Sequence, residues 1–385
     1  MKPPGEIRIS RPSCTCADGR ERVEAEVDGV GIFFESADAE PVASIEAFAG
    51  PFVLPALEQG RVLRLDDAPS ATWLANARRL VDLYRRWWGY AGPDPLGGVE
   101  ARPDAGAPRP EGAQCFSGGI DSFYTLRSSP HRRDVLLGLI GFDIALSDER
   151  RERAFTASLR EVAAESGRRA VVLRTSIRSH PLLEGLSWDR EHGSVLAAAG
   201  HALSGAIGSL VIPSSWGPTW TEGWGSHWDA DPLWSSDQLR VIHDDASLER
   251  WDKVPPLADD PLFFRHLRVC WENRVPAGNC GLCEKCLRTR VLFARYGMSE
   301  RGEAVFDTTL PLVASLDELA SLPADLGSEV WSAHHLRWEL PDDLHAAVAR
   351  LCERSRRAHT AGPAARLVRG VKDRLRHVRR AARLR

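Results

Sequence analysis

Ser117-Gly118-Gly119-Ile120-Asp121-Ser122 is the segment of this chain best built to hold an anion. It follows the short apolar run Ala113-Gln114-Cys115-Phe116 and leads into a helical stretch over about 121–128. The glycines let the backbone approach phosphate oxygens at positive φ. Amides at a helix N-terminus and the Ser117 and Ser122 hydroxyls donate hydrogen bonds to the same oxygens. Bare phosphate would repel Asp121, so its presence implies that it holds Mg²⁺ or fixes the loop through backbone amides. The plainer reading of the string is an Asp-capped turn between a strand and a helix. A second constellation is Cys270, Cys280, Cys283 and Cys286, spaced C-x9-C-x2-C-x2-C. Four thiolates close a tetrahedral shell at Zn–S distances of about 2.3 Å and leave no open position, so Zn²⁺ there is structural and contributes folding free energy. An iron–sulfur cluster competes for such a run, but the x3-Cys-Pro that follows in ferredoxin-like sequences is absent.

The elements that must position these residues change character along the chain. From about Ile7 to Asp67 the pattern is β-like: Arg22–Val27 alternates polar with apolar residues, Asp28-Gly29 turns, and Gly31-Ile32-Phe33-Phe34 returns. Ser70 then caps a helix through Leu74, Leu80, Leu83 and Trp87-Trp88, ended by Gly89. Residues 92–112 are dense in Pro, Gly, Ala and Asp, the composition of a linker. Beyond them, short apolar runs at 113–116, 135–140, 170–173 and 209–212 alternate with helical stretches at about 121–128, 148–166 and 191–207. Such alternation means right-handed βαβ units and a parallel sheet that binds ligands at the carboxyl ends of its strands. The expected organisation is an N-terminal α+β domain over 1–91, a linker over 92–112, and an α/β domain with the four-cysteine zinc knuckle over 113–298. A helical extension over 299–365 and a basic amphipathic tail over 366–385 complete it.

Composition narrows the class. The chain has 385 residues, with 43% hydrophobic and 27% charged, and lacks an uninterrupted apolar stretch of about 18 residues to span a bilayer. No signal-like run follows Met1, so a cytoplasmic location is expected. Residues 366–385 hold nine Lys or Arg against the single acid Asp373, so the net −3 is a basic tail on an acidic body. That tail fits a solvated helix, a membrane surface or an acidic partner; RNA is a further option, without interleaved aromatic stacking groups to support it.

Ser-Gly-Gly-x-Asp-Ser at the end of the first strand resembles the signature of PP-loop ATP pyrophosphatases, the adenine nucleotide α-hydrolase-like superfamily. The resemblance implies a Rossmann-like five-stranded parallel sheet of PP-loop/HUP type. It also implies a reaction in which ATP adenylates a substrate oxygen and AMP is then replaced by a nitrogen or sulfur nucleophile. ATP and Mg²⁺ would be held by Ser117, Gly118, Gly119, Asp121 and Ser122, with Asp121 and Ser122 closest to the chemistry. Gly141 and Asp143, after the second strand, would border the adenosine pocket. The Walker pattern Gly-x-x-x-x-Gly-Lys is absent, so γ-phosphate transfer is not implied. A lone Cys followed by C-x2-C-x2-C resembles the zinc site of 7-cyano-7-deazaguanine synthases. The likeness covers about residues 113–297; neither the segment before the linker nor that after Met298 has a counterpart there.

The expected function is adenylation of a carboxylate or amide oxygen of a small molecule, followed by attack of ammonia or an amine. The alternatives are sulfur insertion, with Cys115 as the conceivable thiol, and a nucleotide-binding scaffold without turnover. Expected partners are the small-molecule substrate, the ammonia or amine donor, a membrane or acidic partner for the tail, and a second copy in a homodimer. Four further groups carry weaker signals. His192 and Ser194 face the nucleotide or cap a helix. Trp224, His227, Trp228, Asp229 and Asp231 wall a planar substrate or pack a long insertion. His243-Asp244-Asp245 supplies an acid and base, with Lys253 reaching a phosphate, or each is a surface or structural residue. Lys285, Arg288 and Arg290 steady pyrophosphate or form a solvated face.

Overall fold

The computed structural model of the protein describes residues 5–17, 19–322, 331–332 and 334–360. The basic tail expected over 366–385 lies outside these. The described residues form an α/β fold with one mixed ten-stranded sheet and twelve α-helices. Its strands are β1 (Glu6–Ile9), β2 (Ser13–Ala17), β3 (Arg20–Val27), β4 (Val30–Ser36), β5 (Val62–Leu65), β6 (Gly112–Cys115), β7 (Val135–Ile140), β8 (Arg169–Thr175), β9 (Ser209–Ile212) and β10 (Arg240–His243). They lie in the order β10-β9-β6-β7-β8-β4-β3-β1-β5, with β2 paired to β3. The run from β10 to β8 is parallel throughout, with β6 at its centre. Strands β6 and β7 are buried almost end to end, as continuous apolar runs covered on both faces must be.

The helices follow the amphipathic segments. They are α1 (Ile45–Ala49), α2 (Val53–Gln59), α3 (Ala71–Trp88), α4 (Ile120–Ser128), α5 (Glu149–Glu165), α6 (Pro181–Glu184), α7 (Trp188–Ala202), α8 (Pro261–His266), α9 (Glu284–Arg295), α10 (Ser299–Glu303), α11 (Leu312–Ser321) and α12 (Asp342–Thr360). Ser70 caps α3 as expected, its hydroxyl accepting the Trp73 amide.

The chain divides into two compact units, Met1–Ser117 with Asp121–Arg250, and Gly118–Ile120 with Trp251–Arg385. The boundary thus falls at Arg250 and Trp251, where an N-terminal domain ending at 91 and an α/β domain running to 298 were expected. The reason lies in the sheet: β4 joins β8 antiparallel through Phe34↔Thr175 and Glu35↔Arg174, so the N-terminal hairpin extends the parallel strands. Phe34, Phe48 and Phe52 share one apolar core with Val195, Ala198 and Leu210. The Pro- and Gly-rich stretch is anchored as well, for Arg102 bridges to Ser70 and its guanidinium grips Asp237 at 2.8 and 3.1 Å. Among the described residues no helix is long and apolar enough to cross a membrane.

Candidate nucleotide loop and metal centre

Strand β6 ends at Cys115, and the Phe116 amide still donates to the Leu137 carbonyl at 2.8 Å, so the chain leaves the sheet only at Ser117. Gly118 has φ +78°, the left-handed region, and its carbonyl accepts the Arg268 amide at 2.8 Å. A Cβ there would come within 3.2 Å of both Arg268 Cβ and the His266 carbonyl oxygen. Helix α4 starts two residues on and carries Asp121 and Ser122 in its first turn. Ser122 is buried, and its carbonyl accepts from Gln114 Nε2 at 2.7 Å, tying α4 back to β6. The Asp121 carboxylate is gripped by Arg250, with Nη2–Oδ2 at 2.7 Å and Nε–Oδ2 at 3.0 Å. Arg250 carries no signal of its own in the sequence. Gly141 follows β7 at φ +103°, where a Cβ would lie 1.9 Å from the Thr175 carbonyl oxygen, so only glycine fits. Its amide donates to the Ile144 carbonyl at 2.8 Å, closing a tight loop with Phe142 and Asp143 at the tip. Both loops therefore leave the carboxyl ends of neighbouring parallel strands, β6 and β7.

The tryptophan-rich segment is irregular, as its glycines require. Trp216 and Trp220 stack at 4.1 Å and 17°, and Trp224 meets both edge-on. Glu249 pins the loop: its carboxylate accepts the Gly217 and Thr219 amides at 3.2 and 3.1 Å and the Thr219 hydroxyl. Neither His192 nor Ser194 caps α7, whose N-cap position is Ser187. The His192 ring instead packs between Trp188 and Trp224 with Nδ1–H donating to the Trp188 carbonyl at 2.8 Å, and Ser194 Oγ donates to the Glu191 carbonyl. Burial pushes His192 down to about 4 and Glu191 up to about 8, so both are neutral at pH 7.

Glu191 carries a checkable consequence. The folded chain keeps this carboxyl protonated long after the unfolded chain has released its proton near 4.5, so stability falls as pH rises from about 4.5 to about 8. Glu191→Gln should raise stability at pH 7 by on the order of 2 kcal/mol and flatten that slope. Denaturant melts across this pH range check it, and parallel slopes for both proteins would refute it.

The four cysteines of the second unit are buried, with all four sulfurs within 4.8 Å of one another. The Cys280–Cys286 and Cys270–Cys283 sulfur pairs are 3.9 Å apart. A single tetrahedral ion with Zn–S bonds of about 2.3 Å separates its ligands by about 3.8 Å, so the donor set fits one metal such as zinc. Hydrogen bonds from Cys280, Cys283 and Cys286 pull the Cys270 thiol down, while sharing hydrogens with Cys270, Cys280 and Cys283 pushes Cys286 up. Four thiolates packed this closely would need a cation among them. Cys283 is the N-cap of α9 and Cys286 lies in its first turn, so the positive end of the helix meets the sulfurs. The Cys283 amide donates to Cys280 Sγ at 3.3 Å.

Two residues brace this centre. Asn279 Oδ1 accepts the Val269 and Cys270 amides at 2.7 and 3.1 Å, and its Nδ2 donates to the Leu267 carbonyl at 2.7 Å. Arg290 is buried, donating to the Gly281 carbonyl at 3.1 Å, the Leu310 carbonyl at 2.9 Å and the Glu303 carboxylate at 3.0 Å. It forms neither a solvated face nor a phosphate clamp: its five donors hold the knuckle against the helices that follow it. Arg288 pairs with Glu284 one turn away at 2.7 Å, and the Lys253 side chain is buried. Nothing in the run Cys-Leu-Arg-Thr-Arg marks Arg290 apart from Arg288; the signal is that only its position shares the buried stripe of α9 with Leu287 and Val291. Comparison with protein-family models, curated proteins and solved structures returns no match to this chain.

Proposed function

We propose that this chain is an ATP-dependent enzyme of the PP-loop type that splits ATP between its α and β phosphates. It adenylates a carboxylate or amide oxygen of a small molecule, and ammonia or an amine then displaces AMP. One observation carries the reading: a Ser-Gly-Gly-x-Asp-Ser turn, with its first glycine at φ +78°, leaves the central strand of a five-strand parallel run and enters a helix at once. That is where an open α/β sheet binds its ligand, at the carboxyl ends of strands and at the point where strand order reverses.

The residues take the following roles. The Gly118 and Gly119 amides and the Ser117 and Ser122 hydroxyls donate to phosphate oxygens. Asp121 would hold Mg²⁺, which neutralises the charge that develops as pyrophosphate leaves. Arg250, whose guanidinium grips the Asp121 carboxylate at 2.7 Å, would add positive charge beside the phosphates. Gly141 and Asp143 border the adenosine. The metal of the four-cysteine centre, which we assign as zinc, has a complete shell and serves the fold.

A sulfur-inserting variant of this activation draws no support from Cys115. Its thiol is buried and pushed up to about 12 by desolvation, so the nucleophilic thiolate does not form there at neutral pH. Native mass spectrometry of the purified chain tests the reading: with Mg²⁺ and millimolar ATP the chain should gain the mass of the nucleotide, and a co-purified acyl-adenylate would identify the acceptor. A chain that takes up no nucleotide would contradict it.

A further inference from the structure

One buried pair stands outside the loop and the metal centre. His243 is the last residue of β10, and its side chain is 4% exposed; Asp231 is fully buried. His243 Nδ1 donates to Asp231 Oδ2 at 2.7 Å, and Ser226 Oγ donates to the same oxygen at 2.6 Å. Among the described residues, His243 Nε2 and Asp231 Oδ1 have no hydrogen-bond partner. Each unpaired buried polar atom costs about 1–3 kcal/mol, so a purely structural pair would be outdone by apolar side chains of the same volume. The carboxylate fixes the proton on Nδ1 and leaves a lone pair on Nε2, the arrangement that makes an imidazole a base.

Its place in the fold matches such a role. β10 is separated from β6 by β9 alone, so the carboxyl ends of β6 and β10 are about 10 Å apart. The next residue, Asp244, accepts the Thr125 hydroxyl of α4 at 2.5 Å, which ties this strand end to the helix that carries Asp121 and Ser122. The two buried histidines beside the pair are the weaker bases: burial lowers both His192, whose Nδ1 is committed to the Trp188 carbonyl, and His227, whose Nδ1 accepts the Asp229 amide.

We infer that His243, oriented by Asp231, is the general base of the second half-reaction, an assignment that rests on the adenylating function proposed above. The nitrogen of ammonia or an amine forms a bond to the activated carbon, and the carbon–oxygen bond to AMP breaks with its electron pair leaving on the phosphate. The surplus proton of the nitrogen passes to His243 Nε2 and from there to solvent. Asp231 is the positioning residue.

Two measurements on the full chain test this. Nitrogen-15 NMR of the imidazole at mildly alkaline pH, which needs no substrate, should find the proton on Nδ1 and should find that preference lost in Asp231→Asn. A proton on Nε2 in the unaltered protein overturns the inference. The second compares His243→Gln with the unaltered protein on Mg²⁺, ATP and a panel of carboxylic acids, using ammonium chloride or hydroxylamine as nucleophile. Hydroxylamine is uncharged at neutral pH and captures acyl-adenylates without a base. The variant should lose ammonia-dependent product by about 100-fold or more while hydroxamate formation changes by less than about threefold, which also reports that it folds. Equal loss with both nucleophiles, or no loss with ammonia, overturns the base assignment. Failure of the unaltered protein to form hydroxamate with any acid overturns the nucleotide reading and the role built on it, and the NMR result separates that failure from a wrong tautomer.

Discussion

Cys286→Ser is expected to unfold the segment from Trp251 to Leu322 and to abolish metal binding. The serine hydroxyl is a poor ligand for a soft ion, and Cys286 sits in the first turn of α9, so its loss removes both a ligand and the anchor of the helix. The magnitude decides the outcome. Structural zinc supplies roughly 10–16 kcal/mol in isolated knuckles, as much as the whole stability of an ordinary domain at about 5–15 kcal/mol. Asn279 and Arg290 cannot compensate, because what they hold is the knuckle itself. Elemental analysis should find one metal ion per chain in the unaltered protein and none in the variant, with new protease cleavage after Trp251. A metal-free protein with unchanged cleavage would show that thiol packing alone suffices. Asn279→Ala should act in the same direction with a smaller effect, about 2–4 kcal/mol, since it frees two buried amides.

Asp121→Asn is the second large expectation, on activity with little on stability. The Asp121–Arg250 pair is 18% and 25% exposed at its side chains, and such pairs contribute at most about 1 kcal/mol, so the melting temperature should fall by only a few degrees. Under the proposed function the same change removes the ligand for Mg²⁺, and AMP formation should drop by about 1,000-fold. The two readouts separate the roles: a carboxylate that only anchors Arg250 would give a small effect on both. Gly118→Ala should show the same imbalance. A left-handed non-glycine residue costs about 1–2 kcal/mol, and relieving that strain turns the loop amides away from the phosphates.

What could be read from the residues alone was whatever depends on local pattern. The buried runs around 113–116, 135–140, 170–173 and 209–212 became β6 to β9 because a parallel strand covered on both faces has no other way to look. The cysteine spacing brought three sulfurs together because C-x2-C-x2-C is itself the knuckle, and the short x9 interval from Cys270 lets the fourth join them. The junction of β4 with β8 was not legible: Phe34 and Thr175 are far apart in the chain, and two register pairs leave no periodic trace. The Arg250 partner of Asp121 and the Asp231 partner of His243 escaped for the same reason, since charged and polar residues announce their partners only in three dimensions. The role of Arg290 was hidden because arginine on a helix is ordinarily solvated, whereas here its fork finds carbonyls and a carboxylate inside the fold.

Under the proposed function the loop after β6 directs cleavage of ATP between the α and β phosphates. The most direct test is phosphorus-31 NMR of the products when the unaltered protein is given ATP, Mg²⁺, ammonium and a broad panel of carboxylic acids and amides. AMP and pyrophosphate should appear in equal amounts, dependent on one class of acceptor and absent in Asp121→Asn. Release of ADP and phosphate, or turnover that survives Asp121→Asn unchanged, would contradict it.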